Sequence, residues 1–332
     1  MEKLWTNWEK LLQSVLQAQA IYTPHEQGAM LGGNAPAHRR IDESRAAWMS
    51  GKMRAFQFLP IDVLVPYVDR IWGWESVGGE RVDLPVLLPG TGAELYFHYR
   101  TPFRRSVGGG TPETCSVSHL FYVRRRPLEL LPSDDVGFVA VRFRAGMIHR
   151  FVDMPGRDMM DRALSAEDLW GATGQELAWR VAGAEAPSTR LQLIQRFLAQ
   201  RLSSAAPDIV FEHAMGMLYG DPANLAIDRL TACVGLGRRQ LERRFASIAG
   251  QTPVEIRSLG RFQKTVRALM LDDSARATDA ALAYGYYDQA HFIRHFRELV
   301  AESPQRYLKE ARARTHFYNT SRCAGAMMTA PS

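Results

Sequence analysis

Cysteine is scarce in this sequence, and long apolar runs are missing from it. The chain of 332 residues has three cysteines, Cys115, Cys233 and Cys323, which stand far apart and form no Cys-x-x-Cys pair. A cysteine-based zinc site and a disulfide framework are therefore not expected. No run approaches the roughly 18 apolar residues of a transmembrane helix, and the first residues lack the apolar stretch of a signal peptide. We expect a cytoplasmic protein with no membrane contact.

Common enzyme motifs are missing as well. The sequence has no phosphate-binding loop, no convincing Ser/His/Asp or Cys/His arrangement, and no dense His-x-His motif. We therefore expect no enzymatic activity, no cofactor and no bound metal. A lone cysteine such as Cys115 in a strand-like segment is more often a small packed hydrophobe than a reactive thiol.

The composition is that of an ordinary globular protein with a modest positive charge. Apolar residues make up 46% and charged residues 23%, and 41 Lys and Arg outnumber 35 Asp and Glu, which gives a formal charge of +6. This charge permits a nucleic-acid partner without proving one. The length suits two domains. The predicted segments are an N-terminal helix and loop extension (1–50), a strand-rich region with following helices (51–204), a helical region (205–318) and a tail (319–332).

The first half of the chain combines strands with a few helices. Aromatic and β-branched runs predict strands near 82–88, 95–99, 117–123 and 137–143, and this spacing favours a small antiparallel barrel or sandwich. Helices are predicted at 3–20, at 158–164, at 167–181 behind Ser165, and over an apolar stripe at 191–202. The stripe could form a dimer contact or dock on its own barrel, and its pattern does not separate the two.

The last hundred residues contain a degenerate repeat with an offset of 51 residues. Leu241, Phe245 and Ile248 have the same helical spacing as Phe292, Phe296 and Leu299, and Thr252-Pro253 matches Ser303-Pro304. Each Ser or Thr can cap a helix that begins with proline. Gly235 and Gly285 each separate a short helix from the longer apolar one. This order predicts two helix-turn-helix units joined by a long helix at about 253–271.

The outward faces of the two longer helices carry residues that can read DNA. Arg can bond guanine through two hydrogen bonds, Gln can read adenine, and Arg also neutralises phosphates. A lone basic helix is usually only solvated surface, but the matching positions in two units favour DNA binding. The predicted DNA-binding residues are Arg238, Arg239, Glu242 and Arg243 on the first helix, and Gln289, His291, Arg294 and Arg297 on the second.

The stretch Leu225–Tyr307 resembles the DNA-binding domain of the AraC/XylS family of bacterial transcription regulators. The resemblance is carried by Ala281–Arg297, which follows the family pattern Ala-x-x-x-Gly-Phe-x-Asp-Gln-Ser-x-Phe-x-Arg-x-Phe-Lys with Tyr286, Ala290 and Arg297 as departures. A further departure is Ala301 at the family's glycine position. The resemblance implies base reading by Arg239, Glu242, Arg243, Gln289, His291 and Arg294, and capping of the second helix by Asp288.

The motifs Leu64-Val65-Pro66-Tyr67-Val68, Leu88-Pro89-Gly90 and Glu167-Asp168-Leu169-Trp170-Gly171 lie in the region from Pro60 to Gly171. With them this region resembles an N-terminal domain that recurs in AraC-type proteins, and the resemblance implies a cupin-like β-barrel. Glu94, Tyr96 and His98 alternate along one predicted strand and so share one face. They are the predicted ligand-binding residues, open to solvent or a pocket. With His119 or His149 they could instead form a cupin-like metal site.

The predicted fold class is α+β: a small antiparallel, cupin-like barrel with helices, then an all-α domain of two helix-turn-helix units. The predicted function is a sequence-specific transcription regulator, an activator by analogy with most relatives. Double-stranded DNA, a second copy of the chain, RNA polymerase and an unidentified small effector are the partners considered. Two alternatives stay open: a metal-binding cupin enzyme fused to a DNA-binding domain, and a ligand-independent DNA-binding protein.

Overall fold

The computed structural model describes residues 47–49, 53–79, 81–203, 207–272 and 274–313. The predicted helix at 3–20 and the tail at 319–332 lie outside these residues. The described residues belong to one compact unit that spans Asp42–Ser332. The boundary predicted near residue 204 therefore stays a prediction.

The strand region contains two antiparallel sheets. The larger sheet has seven strands in the order β1-β2-β3-β10-β5-β8-β11, and the smaller has four in the order β4-β9-β6-β7. The strands are β1 Ala47–Met49, β2 Met53–Phe58, β3 Val68–Ser76, β4 Val86–Leu87, β5 Glu94–His98, β6 Arg104–Val107, β7 Glu113–Thr114, β8 Ser118–Phe121, β9 Leu128–Leu130, β10 Gly137–Phe143 and β11 Ala163–Ser165.

Helices follow the strands. They are α1 Gly156–Met159, α2 Ala166–Trp170, α3 Ala172–Gly183, α4 Pro187–Ser203, α5 Ile209–Gly220, α6 Ile227–Val234, α7 Arg238–Ile248, α8 Pro253–Leu271, α9 Ala277–Ala283, α10 Gln289–Val300 and α11 Pro304–Ala313. Two 3₁₀ turns, Asp62–Leu64 and Met147–Arg150, lie within the strand region.

Both faces of the larger sheet are buried. Leu95 and Phe97 on β5 point towards α3 and α4, where Val181 and Ile194 complete a core. The intervening Tyr96 points to the opposite face and packs in a second cluster that includes side chains of the smaller sheet. The alternation of side chains along a strand explains this division. The strand region is thus layered as helices, seven-stranded sheet and four-stranded sheet.

Each C-terminal helix pair has its own apolar core. One core joins α5, α6 and α7 to the first turns of α8 through residues such as Phe211, Phe245 and Ile256. The other joins α9, α10 and α11 to the last turns of α8 through Phe262, Phe292 and related residues. The two halves of α8 therefore pack under different helix pairs, and we call α8 the spine helix.

Three details differ from the sequence-based expectations. A closed barrel is not shown, because the described strands form two separate sheets. The predicted helix at 158–164 is wrong: α1 ends at Met159, Asp161 has a φ of 57°, and residues 163–165 pair with β8 as a strand. The predicted helix at 167–181 is divided at Gly171, whose φ of 61° and ψ of −146° only glycine adopts readily.

Candidate nucleic-acid interface

The first helix pair consists of α6, a tight turn and α7. Gly235 ends α6 in the left-handed conformation, with a φ of 67°, which allows the chain to reverse direction. Gly237 precedes α7, and its backbone N–H donates to Oε1 of Gln240 at 3.3 Å. Leu241 and Phe245 are fully buried, so the opposite side of α7 faces outward.

The outward side of α7 presents arginines to solvent. Arg239 and Arg243 are exposed and lie opposite the buried Leu241 and Phe245, because successive helix residues are about 100° apart. Arg238 is exposed as well, and its Nε donates to Oε1 of Glu242 at 3.0 Å. The four predicted residues of this helix thus share one surface.

Arg244 has a different role from its neighbours. Its Nε lies 3.3 Å from Oδ2 of Asp208, the residue that caps α5. The ion pair ties α7 to α5.

The second helix pair consists of α9, a turn and α10. Gly285 has a φ of 85°, and a Cβ at this position would lie 2.7 Å from Cα of Ala223, so both space and conformation require glycine. Oδ1 of Asp288 accepts a hydrogen bond from the backbone N–H of His291 at 2.7 Å. This bond confirms that Asp288 caps α10.

The predicted reading residues of α10 differ in their surroundings. Arg294 and Arg297 are exposed. Oε1 of Gln289 accepts a hydrogen bond from the Thr278 hydroxyl at 2.8 Å, and the half-buried His291 ring lies edge-on to Tyr286 at 5.2 Å. A concave surface runs along this side of the helix. It is lined by Tyr287, Asp288, His291, Arg294, His295 and Glu298.

His295 joins α10 to the spine helix and was not singled out as such from the sequence. Its Nδ1 lies 2.8 Å from the Tyr286 hydroxyl, and its Nε2 lies 3.3 Å from Oγ of Ser258 on α8. Burial lowers the pKa of His295 below its ordinary value. The spacing of His295 from buried Phe292 and Phe296 was the only signal in the sequence.

Three cations of α8 are directed at the turn after α5. Arg257 donates to the carbonyl of Leu225, Arg261 to that of Pro222, and Lys264 to that of Gly220, at 3.0, 2.8 and 2.6 Å. Burial lowers the pKa of both Arg261 and Lys264. Cations favour helix C-termini because the last carbonyls carry partial negative charge. These side chains hold the first helix pair on the spine.

The predicted ligand-binding residues of β5 are all buried. Glu94, Tyr96 and His98 are 2%, 0% and 1% exposed, so none of them opens to solvent. The Tyr96 hydroxyl donates to Oε2 of Glu94 at 3.1 Å. His98 stacks on His119 with the ring centres 5.2 Å apart, and its two ring nitrogens have no hydrogen-bond partner among the described residues. The structure brings the three residues to one face, as predicted, but inside a packed layer.

The described residues contain no cluster of three or more His, Cys, Asp or Glu side chains arranged to hold a metal ion. Within the same residues, no helix has both the length and the apolar character needed to cross a membrane.

A helix-turn-helix domain model matches residues 230–310 of the sequence. Residues 230–310 form an AraC-type helix-turn-helix domain. An AraC-type domain binds double-stranded DNA, so residues 230–310 are the DNA-binding part of the chain. The match includes α7 to α10 and with them all eight predicted DNA-binding residues. No curated protein matches the sequence closely enough to be named as a relative.

Solved structures of AraC-type regulators are similar to this chain. A transcriptional regulator from Chromobacterium violaceum is 24% identical, with 31% of this chain and 91% of that chain covered and a TM-score of 0.29. ToxT from Vibrio cholerae is 11% identical, with 78% and 98% covered and a TM-score of 0.43. A form of ToxT bound to an unsaturated fatty acid is 11% identical, with 69% and 92% covered and a TM-score of 0.40.

Proposed function

We propose that the chain reads specific DNA sequences through the exposed faces of α7 and α10. The observation that carries this proposal is the matching placement of Arg243 and Arg294. Each is exposed, and each lies on the side of its helix opposite the buried aromatic residue of its pair, Phe245 or Phe296. A basic helix face that protrudes from a compact core fits the major groove of DNA.

The two helix pairs act as two helix-turn-helix units. The shared spine α8 has a separate apolar core at each end, which favours a fixed distance between the units. Two rigidly joined reading helices would enter successive major grooves about 34 Å apart on one face of the DNA. One molecule would then cover about two helical turns.

The predicted residues take different roles in this proposal. Arg239, Glu242 and Arg243 on α7 and Gln289, His291 and Arg294 on α10 contact base edges. Arg238 and Arg297 contact phosphates. In the free protein Glu242 is bonded to Arg238 and Gln289 to Thr278, so both side chains exchange one partner for another when DNA binds.

We propose that the strand region senses a small effector or joins two copies of the chain. An effector that favours one arrangement of the strand region and the helix pairs would shift the DNA-binding equilibrium. Activation of transcription through contact with RNA polymerase is the expected outcome. Since its target is chromosomal DNA, the regulator would act in the cytoplasm.

One observation favours the ligand-independent alternative. The layer between the two sheets is filled by aromatic rings, which include Trp72, Tyr96, Phe103 and Phe138 with centre distances of 5.1 to 6.1 Å. A ligand in the middle of this layer would have to displace them. An effector therefore has to bind elsewhere in the strand region, or none exists.

Selection of bound sequences from random duplex DNA with the full-length protein tests the proposal. We expect enrichment of a site with two motifs about one helical turn apart. The repeat or palindrome of that site would also show whether two copies bind together. Binding that is sensitive to salt but enriches no motif would contradict sequence-specific reading and leave only attraction to phosphates.

A further inference from the structure

Three charged residues form a row across the larger sheet, at one end of the aromatic layer. Arg142 on β10 is the direct neighbour of Arg70 on β3 and of Glu94 on β5. Nη1 of Arg142 lies 3.0 Å from Oε1 of Glu94. A fourth residue, Arg124, follows β8 and completes the cluster. Its positive charge acts to lower the pKa of both Glu94 and Tyr96.

The row contains more positive than negative charge. Arg142 contacts the buried carboxylate of Glu94, and the charges of Arg124 and Arg70 also act on it. Asp69 is a further carboxylate, half-exposed and 4.0 Å from Arg142. Burial by itself raises the pKa of Glu94, but Arg142, Arg124 and Arg70 together hold it below its ordinary value. Burial and the charge of Arg142 lower the pKa of Arg70. An uncompensated buried cation is costly, so this cluster would gain from a second anion.

Two buried nitrogens of the cluster lack a hydrogen-bond acceptor in the part of the chain that the structure describes, and besides charged groups the Arg70 guanidinium meets the face of the Trp72 ring, 5.7 Å away. Nη1 of Arg124 and Nε of Arg70 are buried and have no hydrogen-bond partner among the described residues. Arg124 is only 9% exposed. Buried donors without an acceptor are rare in folded proteins and call for a ligand, a water or a function.

The cluster also touches the helix that joins the two DNA-reading units. The backbone of Arg124 exchanges two hydrogen bonds with Gly90, at 2.9 and 3.1 Å. Gln263 of α8 packs on the same Gly90, and its Oε1 accepts from the backbone and the hydroxyl of Thr91. Arg267 lies one turn further along α8 and influences Arg70 electrostatically. A ligand held by Arg124 would therefore act on the segment that holds the spine.

We infer that Arg70, Arg124 and Arg142 form a binding site for the oxyanion of a small effector, either a carboxylate or a phosphate. The planar guanidinium groups suit both anions, because each can accept two parallel hydrogen bonds. Glu94 orients Arg142 and balances part of the charge. The assignment of this anion to an effector rests on the sensing role proposed above. The binding site itself does not depend on DNA.

The test is calorimetric titration of the full-length protein with sodium phosphate and, separately, with sodium acetate, at an ionic strength held constant with sodium chloride. We expect saturable binding of at least one anion. Arg124→Gln should weaken it about tenfold, because a charge-assisted hydrogen bond is lost. Arg126→Gln is the matched control. It removes the same charge two residues away from an exposed side chain and should leave the affinity within twofold.

Arg70→Gln is a second variant for the case that Arg124→Gln does not fold, and we expect a similar loss. Tighter binding of acetate would assign a carboxylate effector, and tighter binding of phosphate a phosphorylated one. No saturable binding of either anion, or equal losses in the Arg124 and Arg126 variants, would overturn the inference. Since DNA is absent from the titration, failure of the DNA-reading proposal would appear only in the sequence selection.

Discussion

Ala301 holds a backbone conformation that glycine normally takes. It ends α10 with a φ of 64°, and the equivalent residue of the first helix pair, Gly250, has a φ of 71°. An L residue with a side chain pays roughly 1–2 kcal/mol for the left-handed region. Part of this cost is offset because glycine loses more entropy on folding. Ala301→Gly should therefore stabilise the protein by about 0.5–1 kcal/mol, measured by urea unfolding of the full-length chain.

The reverse exchange at Gly250 is the matched control. A Cβ there would lie 2.4 Å from the backbone nitrogen of Arg157 in α1, so Gly250→Ala adds a steric conflict to the conformational strain. We expect a loss of more than about 1 kcal/mol. A lower urea midpoint for Ala301→Gly would contradict the interpretation that Ala301 occupies a glycine position equivalent to Gly250.

His119 makes the stability of the strand region depend on pH. Burial lowers the pKa of His119 to about 4, while in the unfolded chain it has its ordinary value near 6.5. As pH falls below about 6.5, His119 binds a proton in the unfolded state but stays neutral in the folded state. The free energy of unfolding is therefore higher at neutral pH and decreases with acidification. Between pH 7.5 and 5 this one group accounts for about 2 kcal/mol.

His119→Gln should flatten this dependence, because glutamine keeps polar nitrogen and oxygen atoms but does not titrate. The measurement is the free energy of unfolding by urea at a series of pH values from 5 to 7.5. His213 is the comparison, since burial lowers its pKa as well but in the helical region. If His119→Gln and the unchanged protein lose the same free energy over this interval, the assignment to His119 is wrong.

At the scale of elements, a substitution on α10 tests whether its exposed face contacts DNA. Arg294→Ala should cost about 1–3 kcal/mol of affinity for the selected DNA site, roughly 5- to 150-fold in Kd, since one base-contacting arginine is removed. Arg306→Ala on α11 is the control, because Arg306 is exposed and lies near Glu302 and Glu310. Fluorescence anisotropy with a labelled duplex measures both. Equal losses would remove Arg294 from the base-reading set.

Elements with local signals could be predicted from the sequence, and those that depend on distant partners could not. The bounds of α8 agree with the prediction because Thr252 and Glu255 form a capping box in front of Pro253. The strand β11 was missed because its backbone is satisfied by β8, about forty residues earlier. Asp161 escapes helix formation because its carboxylate binds the backbone and side chain of Arg125.

The same distinction applies to the candidate DNA interface and to the row of charged residues on the larger sheet. The residues proposed to read DNA follow a repeat that is visible in the sequence, and the structure exposes Arg239, Arg243 and Arg294 as expected. The row of Arg70, Arg142 and Glu94 exists only because β3, β10 and β5 are neighbours in the sheet. Strand order is set by long-range pairing, which alternation of apolar residues does not encode.

At the scale of the whole molecule, the strand region and the helix pairs share parts of their cores. Leu259 of α8 belongs to the core beneath α3 and α4, and Leu88 of the strand region belongs to the core of the second helix pair. The Tyr122 hydroxyl donates to the carbonyl of Ala249 at 3.1 Å. Glu212 of α5 lies 3.3 Å from His149 and 3.4 Å from Arg150. These contacts connect the strand region to both helix pairs.

A fragment of residues 205–318 tests whether the contacts with the strand region are needed for stability and for DNA binding. Nearly all members of the two helix-pair cores lie within the fragment, so we expect it to fold and to bind DNA. Exposure of Leu259 and the loss of Leu88 should each cost roughly 1.5–3 kcal/mol of stability. Thermal unfolding and anisotropy at low salt measure the two effects. A folded fragment without DNA affinity would contradict the predicted division near residue 204, and would mean that the strand region completes the DNA-binding surface.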